Sequence, residues 1–128
     1  MRTGDKRNLI GIKNFHNLDL GKDDLKEIFK VDYDIIYHFA GQSSVEISFE
    51  DPIYDLDTNT KATLKILQHV SESNSKCHII YASSMSVYGS SEPMPKSEDD
   101  HLNGENFYAV GKKAVSYTHL TLPTNREV

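Results

Sequence analysis

The apolar residues of this chain fall into short blocks whose spacing switches between every second position and every third or fourth. Phe15-His16-Asn17-Leu18-Asp19-Leu20 alternates apolar and polar side chains, which predicts a short strand. Gly21-Lys22-Asp23-Asp24 reads as a turn. It leads into a short helix ending near Lys30, with Leu25, Ile28 and Phe29 on one face and the two acids near its positive end. Tyr33 to Ala40 is a compact, mostly apolar run, which predicts a strand covered on both faces, as in parallel sheets. Gly41-Gln42-Ser43-Ser44 breaks it.

Asp51-Pro52 is a helix-start signal, with an acid at the cap and proline in the first turn. Ile53, Leu56, Thr63, Leu64, Leu67 and Val70 then keep helical spacing, which predicts one long helix from about Pro52 to Glu72. Cys77 to Ala82 is a second buried strand. Met1 to Lys13 and Ser90 to Asn106 read as loops, and a last helix starts near Asn106. Strand, long helix and strand in this order make a crossover unit with parallel strands. The expected fold class is therefore α/β. The stretches Gly41-Gln42-Ser43-Ser44 and Ser83-Ser84 then lie at carboxyl ends of parallel strands, where open α/β sheets bind ligands.

Composition narrows the partners. The 128 residues carry a net charge of −5, which argues against nucleic acid. No apolar run approaches the length needed to span a bilayer, and the N-terminus lacks an apolar signal core, so a cytoplasmic protein is expected. One cysteine excludes an internal disulfide framework. The six histidines, at 16, 38, 69, 78, 101 and 119, show no ligand spacing, so no metal site is expected. His38 is expected to be a packed, hydrogen-bonded residue of its strand.

The sharpest chemical signal is Tyr108-Ala109-Val110-Gly111-Lys112. Tyrosine and lysine four apart share a helix face, and an ammonium near a phenol favours the phenolate. Such a tyrosine can exchange a proton with a substrate hydroxyl. Taken alone, the pair is equally well a surface aromatic–lysine contact. Ser83 and Ser84, after the second strand, could hold the substrate oxygen, or simply form a polar strand end. Asn59 falls on the inward stripe of the long helix, where a buried amide needs partners.

Together, Asp34-Ile35-Ile36-Tyr37-His38-Phe39-Ala40-Gly41, Asp51-Pro52 with Asn59 and Thr63-Leu64, Tyr81-Ala82-Ser83-Ser84-Met85-Ser86-Val87-Tyr88-Gly89, and Tyr108 with Lys112 resemble a known family. It is the NAD-dependent nucleotide-sugar epimerase/dehydratase group of the extended short-chain dehydrogenase/reductases. The resemblance spans about Asn14 to Lys113. It implies Tyr108 as catalytic base and acid, Lys112 on the nicotinamide ribose, Ser84 as substrate-hydroxyl partner and Asn59 as support. Phe39, Ala40 and Gly41 would line NAD, and Asp19 and Leu20 would read its adenine edge. Sugar 4,6-dehydratases carry an acid just after the active Ser or Thr, where Met85 and Ser86 stand here. The resemblance thus implies C4 epimerisation of a nucleotide sugar of the UDP-glucose/UDP-galactose type, and leaves a homodimeric parent open. Another oxidoreductase or reductase of the group, and a non-catalytic dinucleotide-binding module, are the alternatives.

A dinucleotide-binding fold opens with a strand, a glycine-rich turn and a helix. The glycines here, at 4, 11, 21, 41, 89, 104 and 111, do not form that turn. The expectation is a partial NAD-binding Rossmann domain over 1–115, with the first βαβ unit and the C-terminal substrate lobe missing. Residues 116–128, rich in β-branched residues and broken by Pro123, read as a non-native tail. The isolated segment is expected to bind NAD poorly and not to catalyse.

Overall fold

A computed structural model describes residues 5–73, 76–91 and 94–121; for Lys6 and residues 118–121 it describes the backbone alone. Two parallel strands, β1 (Ile35–His38) and β2 (His78–Tyr81), pair in register from Ile35 with His78 to His38 with Tyr81. The ladder continues at both ends, where His78 N donates to Asp34 O (2.9 Å) and Ala82 N donates to His38 O (3.2 Å). The connection between them is helical. It comprises α1 (Val45–Glu50), α2 (Pro52–Leu56), a π-helical turn (Asp57–Lys61) and α3 (Ala62–Glu72). A 3-10 turn, Met85–Tyr88, follows β2, and α4 (Phe107–Thr121) closes the described chain. The α/β arrangement and its parallel crossover are as the sequence predicts.

The helix boundaries have local causes. Asp51 Oδ1 accepts from Tyr54 N (2.9 Å), so the run from Pro52 begins at the expected cap. Asn106 Oδ1 accepts from Ala109 N (2.8 Å) and starts α4. Helix α1, which the hydrophobic spacing does not reveal, is capped by Ser44, whose Oγ accepts from Ile47 N (3.2 Å).

Several expectations are corrected. Phe15 to Leu20 forms no strand among the described residues. Lys22 N and Asp23 N donate to Asp19 O (3.0 and 2.8 Å), and Gly21 N donates to Asp19 Oδ1 (3.0 Å). Asp19 N in turn donates to Asp23 Oδ2 (2.7 Å), so the end of the segment is tied into a local turn and not into a ladder. The helix expected from Leu25 is reduced to a 3-10 turn, Ile28–Lys30, which has no side-chain cap hydrogen bond at its start. The sheet is covered on one side only. Ile35, Tyr37, Phe39 and Ile80 are exposed, while His38 is buried. The buried face of the long helical run matches the expected one in part: Asn59 and Thr63 are inward as expected, and the apolar positions around them are not. Ile53, Leu56 and Leu64 point outward, and Asp55, Asn59, Ala62, Thr63 and Ile66 are buried. The boundary expected at 115/116 is not among these corrections: α4 extends to Thr121, and residues 122–128 lie outside the described residues.

The core sits between this helical run and α4. Tyr108, Ala109 and Val115 of α4 are buried, as are Ala62 and Ile66 of α3, with Leu25 and Val87 contributed by the flanking turns. The helices approach closely at Gly111. A Cβ there would meet Asp55 Oδ2 at 3.3 Å and Thr60 Oγ1 at 3.4 Å, and Thr60 Oγ1 donates to Gly111 O (3.0 Å). Among the described residues no helix is long and apolar enough to cross a membrane.

His38 joins the sheet to α3. Thr63 Oγ1 donates its one proton to Asn59 O (2.6 Å), so at His38 Nε2 (2.9 Å) it must accept. The imidazole is therefore neutral or protonated with Nε2–H in place. Burial, helped by the Lys112 charge, lowers the His38 pKa from 6.5 to about 4. The unfolded chain thus binds a proton that the folded chain refuses between these two values. His38 therefore stabilises the fold fully above pH 6.5, and that contribution falls away as the pH drops towards 4. Urea unfolding should show stability rising with pH across this window, with a smaller rise in His38→Gln. Thr63→Val strands the His38 donor and should cost about 1–3 kcal/mol at pH 7 in the same measurement.

Candidate active site

Helix α4 brings Tyr108 and Lys112 to one buried face, with 7% and 6% of their surfaces exposed. The Lys112 ammonium donates to Ala82 O (3.0 Å), at the carboxyl end of β2. It lies 4.7 Å from the centroid of the Tyr81 ring and 5.9 Å from that of Tyr108. Aromatic faces attract a cation, and a carbonyl accepts one of its protons. Burial lowers the Lys112 pKa, and the negative charge of Asp55 opposes that shift.

A second cluster meets this one at the end of β1. Asn59 Nδ2 donates to Gln42 O (3.0 Å) and to Asp55 Oδ1 (3.1 Å). Gln42 Nε2 donates to Asp55 Oδ1 (2.6 Å) and to Ser44 O (2.8 Å), and Ser44 N donates back to Gln42 Oε1. Both partners of the Asn59 amide nitrogen are acceptors, so the orientation of the amide is fixed. Its Oδ1 is buried without a partner among the described residues. A Cβ on Gly41 would fall 2.5 Å from that oxygen and 3.6 Å from Lys112 Nζ. The unmet acceptor and the ammonium therefore face the same point, and only glycine leaves it open. The Tyr81 hydroxyl is likewise buried and unpaired among the described residues. Burial raises the Tyr81 pKa, and Tyr108 and Asp55 add to that shift.

The other expected residues lie around this centre. Ser84 caps the 3-10 turn, its Oγ accepting from Ser86 N and donating to Ser86 Oγ (both 3.2 Å). Ser83 Oγ shares a hydrogen bond with Ser116 Oγ (3.2 Å). Both serines line an open cleft of about 610 Å³ with Tyr88, Asp100, His101 and Tyr117. Tyr108 and Lys112 are not among the residues lining that cleft. Phe39, Ala40 and Gly41 are exposed at the end of β1. Asp19 and Leu20 stand apart, in the turn whose Gly21 packs on Asp57 of the π turn. The structure thus joins Tyr108, Lys112, Asn59 and Gly41 through shared contacts. It places Ser84 two residues beyond the carbonyl that holds Lys112.

Asp55, Gln42 and Tyr81 belong to the same buried cluster, and sequence reasoning missed them. Asp55 carried a usable signal, since it precedes Asn59 by four residues and so shares its helix face. Among the described residues, no three or more His, Cys, Asp or Glu side chains gather as a metal site would require. What the cluster offers is an ammonium, a phenol and an unpaired amide oxygen around a strand end without side-chain bulk. Such a set can bind and polarise hydroxyl groups.

The chain is similar to known proteins. Residues 3–122 match the family described as GDP-mannose 4,6 dehydratase. A bifunctional UDP-glucose 4-epimerase and UDP-xylose 4-epimerase of Pisum sativum is 33% identical over 113 residues, covering 83% of this chain and 32% of its own. The UDP-N-acetylglucosamine 4-epimerase of Methanobrevibacter ruminantium, solved with UDP-N-acetylmuramic acid, superposes with a TM-score of 0.80 at 28% identity. That match covers 93% of this chain and 40% of the other. The Pseudomonas aeruginosa protein RMD, solved with NADPH, gives a TM-score of 0.71 at 33% identity, covering 80% and 36%. The chain spans about a third of the length of the curated relatives it matches, 37% and 32% for two of them.

Gly41→Ala tests the close approach at the strand end. Asn59 is held by two hydrogen bonds and cannot swing aside, so the added methyl should cost about 1–3 kcal/mol of stability, read as a lower urea midpoint.

Proposed function

The chain belongs to the GDP-mannose 4,6 dehydratase family, within the NAD-dependent epimerases and dehydratases, and from that premise we propose that it carries the catalytic segment of a nucleotide-sugar 4-epimerase. The substrate in this reading is of the UDP-glucose/UDP-galactose type. The observation that carries it is the buried Tyr108–Lys112 pair, with Lys112 anchored to the carboxyl end of β2 beside Ser83-Ser84.

The residues present fit a nicotinamide dinucleotide. Gly41 leaves the end of β1 without a side chain, and the buried ammonium of Lys112 faces that opening. Phe39 and Ala40 stand exposed beside it. In this reading Lys112 holds the nicotinamide ribose, Phe39, Ala40 and Gly41 line the dinucleotide, and Asp19 and Leu20 meet its adenine. NAD, when bound, supplies the hydride acceptor and donor for C4 of the sugar. Tyr108 takes the proton of the 4-hydroxyl and later returns it. Ser84 gives up its hydrogen bond to Ser86 and holds the sugar oxygen. Asn59 fixes the strand end against which these groups are aligned.

Epimerisation is favoured over dehydration by Met85 and Ser86. Removing water from the sugar requires an acid next to the active serine, and the side chain there, Met85, is an exposed thioether. A homodimeric parent belongs to the same reading. It is supported by the apolar side chains Ile53, Leu56, Leu64, Phe107 and Val110, exposed on α2, α3 and α4.

Tyr108→Phe in the longest native reading frame carrying this segment tests the assignment. Interconversion of UDP-glucose and UDP-galactose should fall about 10²–10⁴-fold while NAD binding persists. Full turnover in that variant would remove Tyr108 as the base. The 128-residue chain by itself should bind NAD too weakly to detect at micromolar concentration by fluorescence titration.

A further inference from the structure

The buried cluster contains a carboxylate that the proposed reaction does not use. Asp55 is 1% exposed, as is Asn59 four residues later, and both face inward from the helical run. The two oxygens of Asp55 have different surroundings. Oδ1 accepts from Gln42 Nε2 (2.6 Å) and Asn59 Nδ2 (3.1 Å). Oδ2 is directed at α4, where a Cβ on Gly111 would meet it at 3.3 Å. Gly111 immediately precedes Lys112, so the carboxylate sits under the turn that delivers the ammonium.

We infer that Asp55 is a positioning residue with two linked tasks. Its Oδ1 locks Asn59 and the Gln42 loop in place, and its charge is the buried counter-charge that keeps Lys112 an ammonium. The groups facing Lys112 support the second task. His38, on β1, is neutral over the ordinary pH range and carries no negative charge. The β2 strand contributes the Tyr81 ring and the Ala82 carbonyl, and α4 contributes the Tyr108 ring. Among these described neighbours, Asp55 is the one that can bear a full negative charge near neutral pH. Burial raises the Asp55 pKa on balance, and the Gln42 and Asn59 amides and the Lys112 charge act against that rise. An uncompensated buried ammonium is costly, and losing the proton is its usual escape.

The role of Lys112 rests on the proposed function, but the inference can be read without turnover. In the longest native reading frame, lysines labelled with ¹³C at Cε are titrated by NMR without added dinucleotide. Lys112 is assigned by the signal lost in Lys112→Met. Asp55→Asn keeps an acceptor at the same place and removes the charge. Without a negative neighbour the ammonium is less favoured, so Lys112 should titrate about one pH unit lower or more. Asp55→Glu, which keeps the charge, should leave the titration close to the native one. Should Asp55→Asn fail to fold, Asp55→Ser, also uncharged and able to accept, is read in the same way. Titration of Lys112 at the native pH in the uncharged variant would overturn the counter-charge, and would leave the outcome for Tyr108→Phe untouched. An active Tyr108→Phe enzyme would overturn the epimerase reading and leave the Lys112 shift standing.

Discussion

A positive charge withdrawn from water at Lys112 is the constraint around which this structure is organised. Its ammonium is held by one carbonyl, lies near two aromatic rings and is opposed by one buried carboxylate. These four partners come from three parts of the chain: the end of β2, α4 itself and the helical run that crosses between the strands. Burying a lone cation in protein is unfavourable unless such partners converge on it. The packing of α4 against Asp55 and Thr60, possible because residue 111 is glycine, is therefore a condition of the chemistry as much as of the fold.

The same constraint explains why the interior is unusually polar. The inward side of the helical run is built largely from Asp55, Asn59, Thr63 and small or branched apolar residues, with His38 and Gln42 opposite. Nearly all of their polar atoms are satisfied by one another through hydrogen bonds. The two exceptions among the described residues, Asn59 Oδ1 and Tyr81 OH, both belong to side chains clustered about Lys112. Satisfied polar networks impose one geometry on their members, and the unsatisfied atoms in them mark where a further partner is wanted. The apolar side chains that normally fill a core, Ile53, Leu56 and Leu64 among them, face outward instead.

This inversion accounts for what could be read from the sequence. The helical run from Pro52 to Glu72 was legible at both ends, because Asp51 caps it by a local bond and periodicity survives whichever face is buried. Which face is buried was legible only in part: Asn59 and Thr63 lie inward as the spacing suggests, but Ile53, Leu56 and Leu64 point outward. The parallel strands were legible as compact apolar runs, but their one-sided exposure was not. Phe15 to Leu20 alternates like a strand, yet Asp19 satisfies its neighbours locally and turns the chain. At the site, Tyr108, Lys112 and Asn59 stood out by residue type and spacing. Asp55 and Gln42 did not, because acids and amides at such positions ordinarily lie in solvent, and only the fold reveals that these do not.

The π turn between α2 and α3 carries a consequence for how this segment tolerates change in length. Ala62 N donates to Asp57 O, five residues back, so the turn holds one residue more than an α-helical turn would. At 3.6 residues per turn, that surplus rotates everything after it by about 100° relative to everything before it. Asp55 before the turn, Asn59 within it and Thr63 and Ile66 after it are all buried. Loss of one residue between 57 and 61 would hence act as an error of phase rather than of content: either Asp55 or the Thr63–Ile66 face would swing away from its present partners, although no side chain outside the turn had changed.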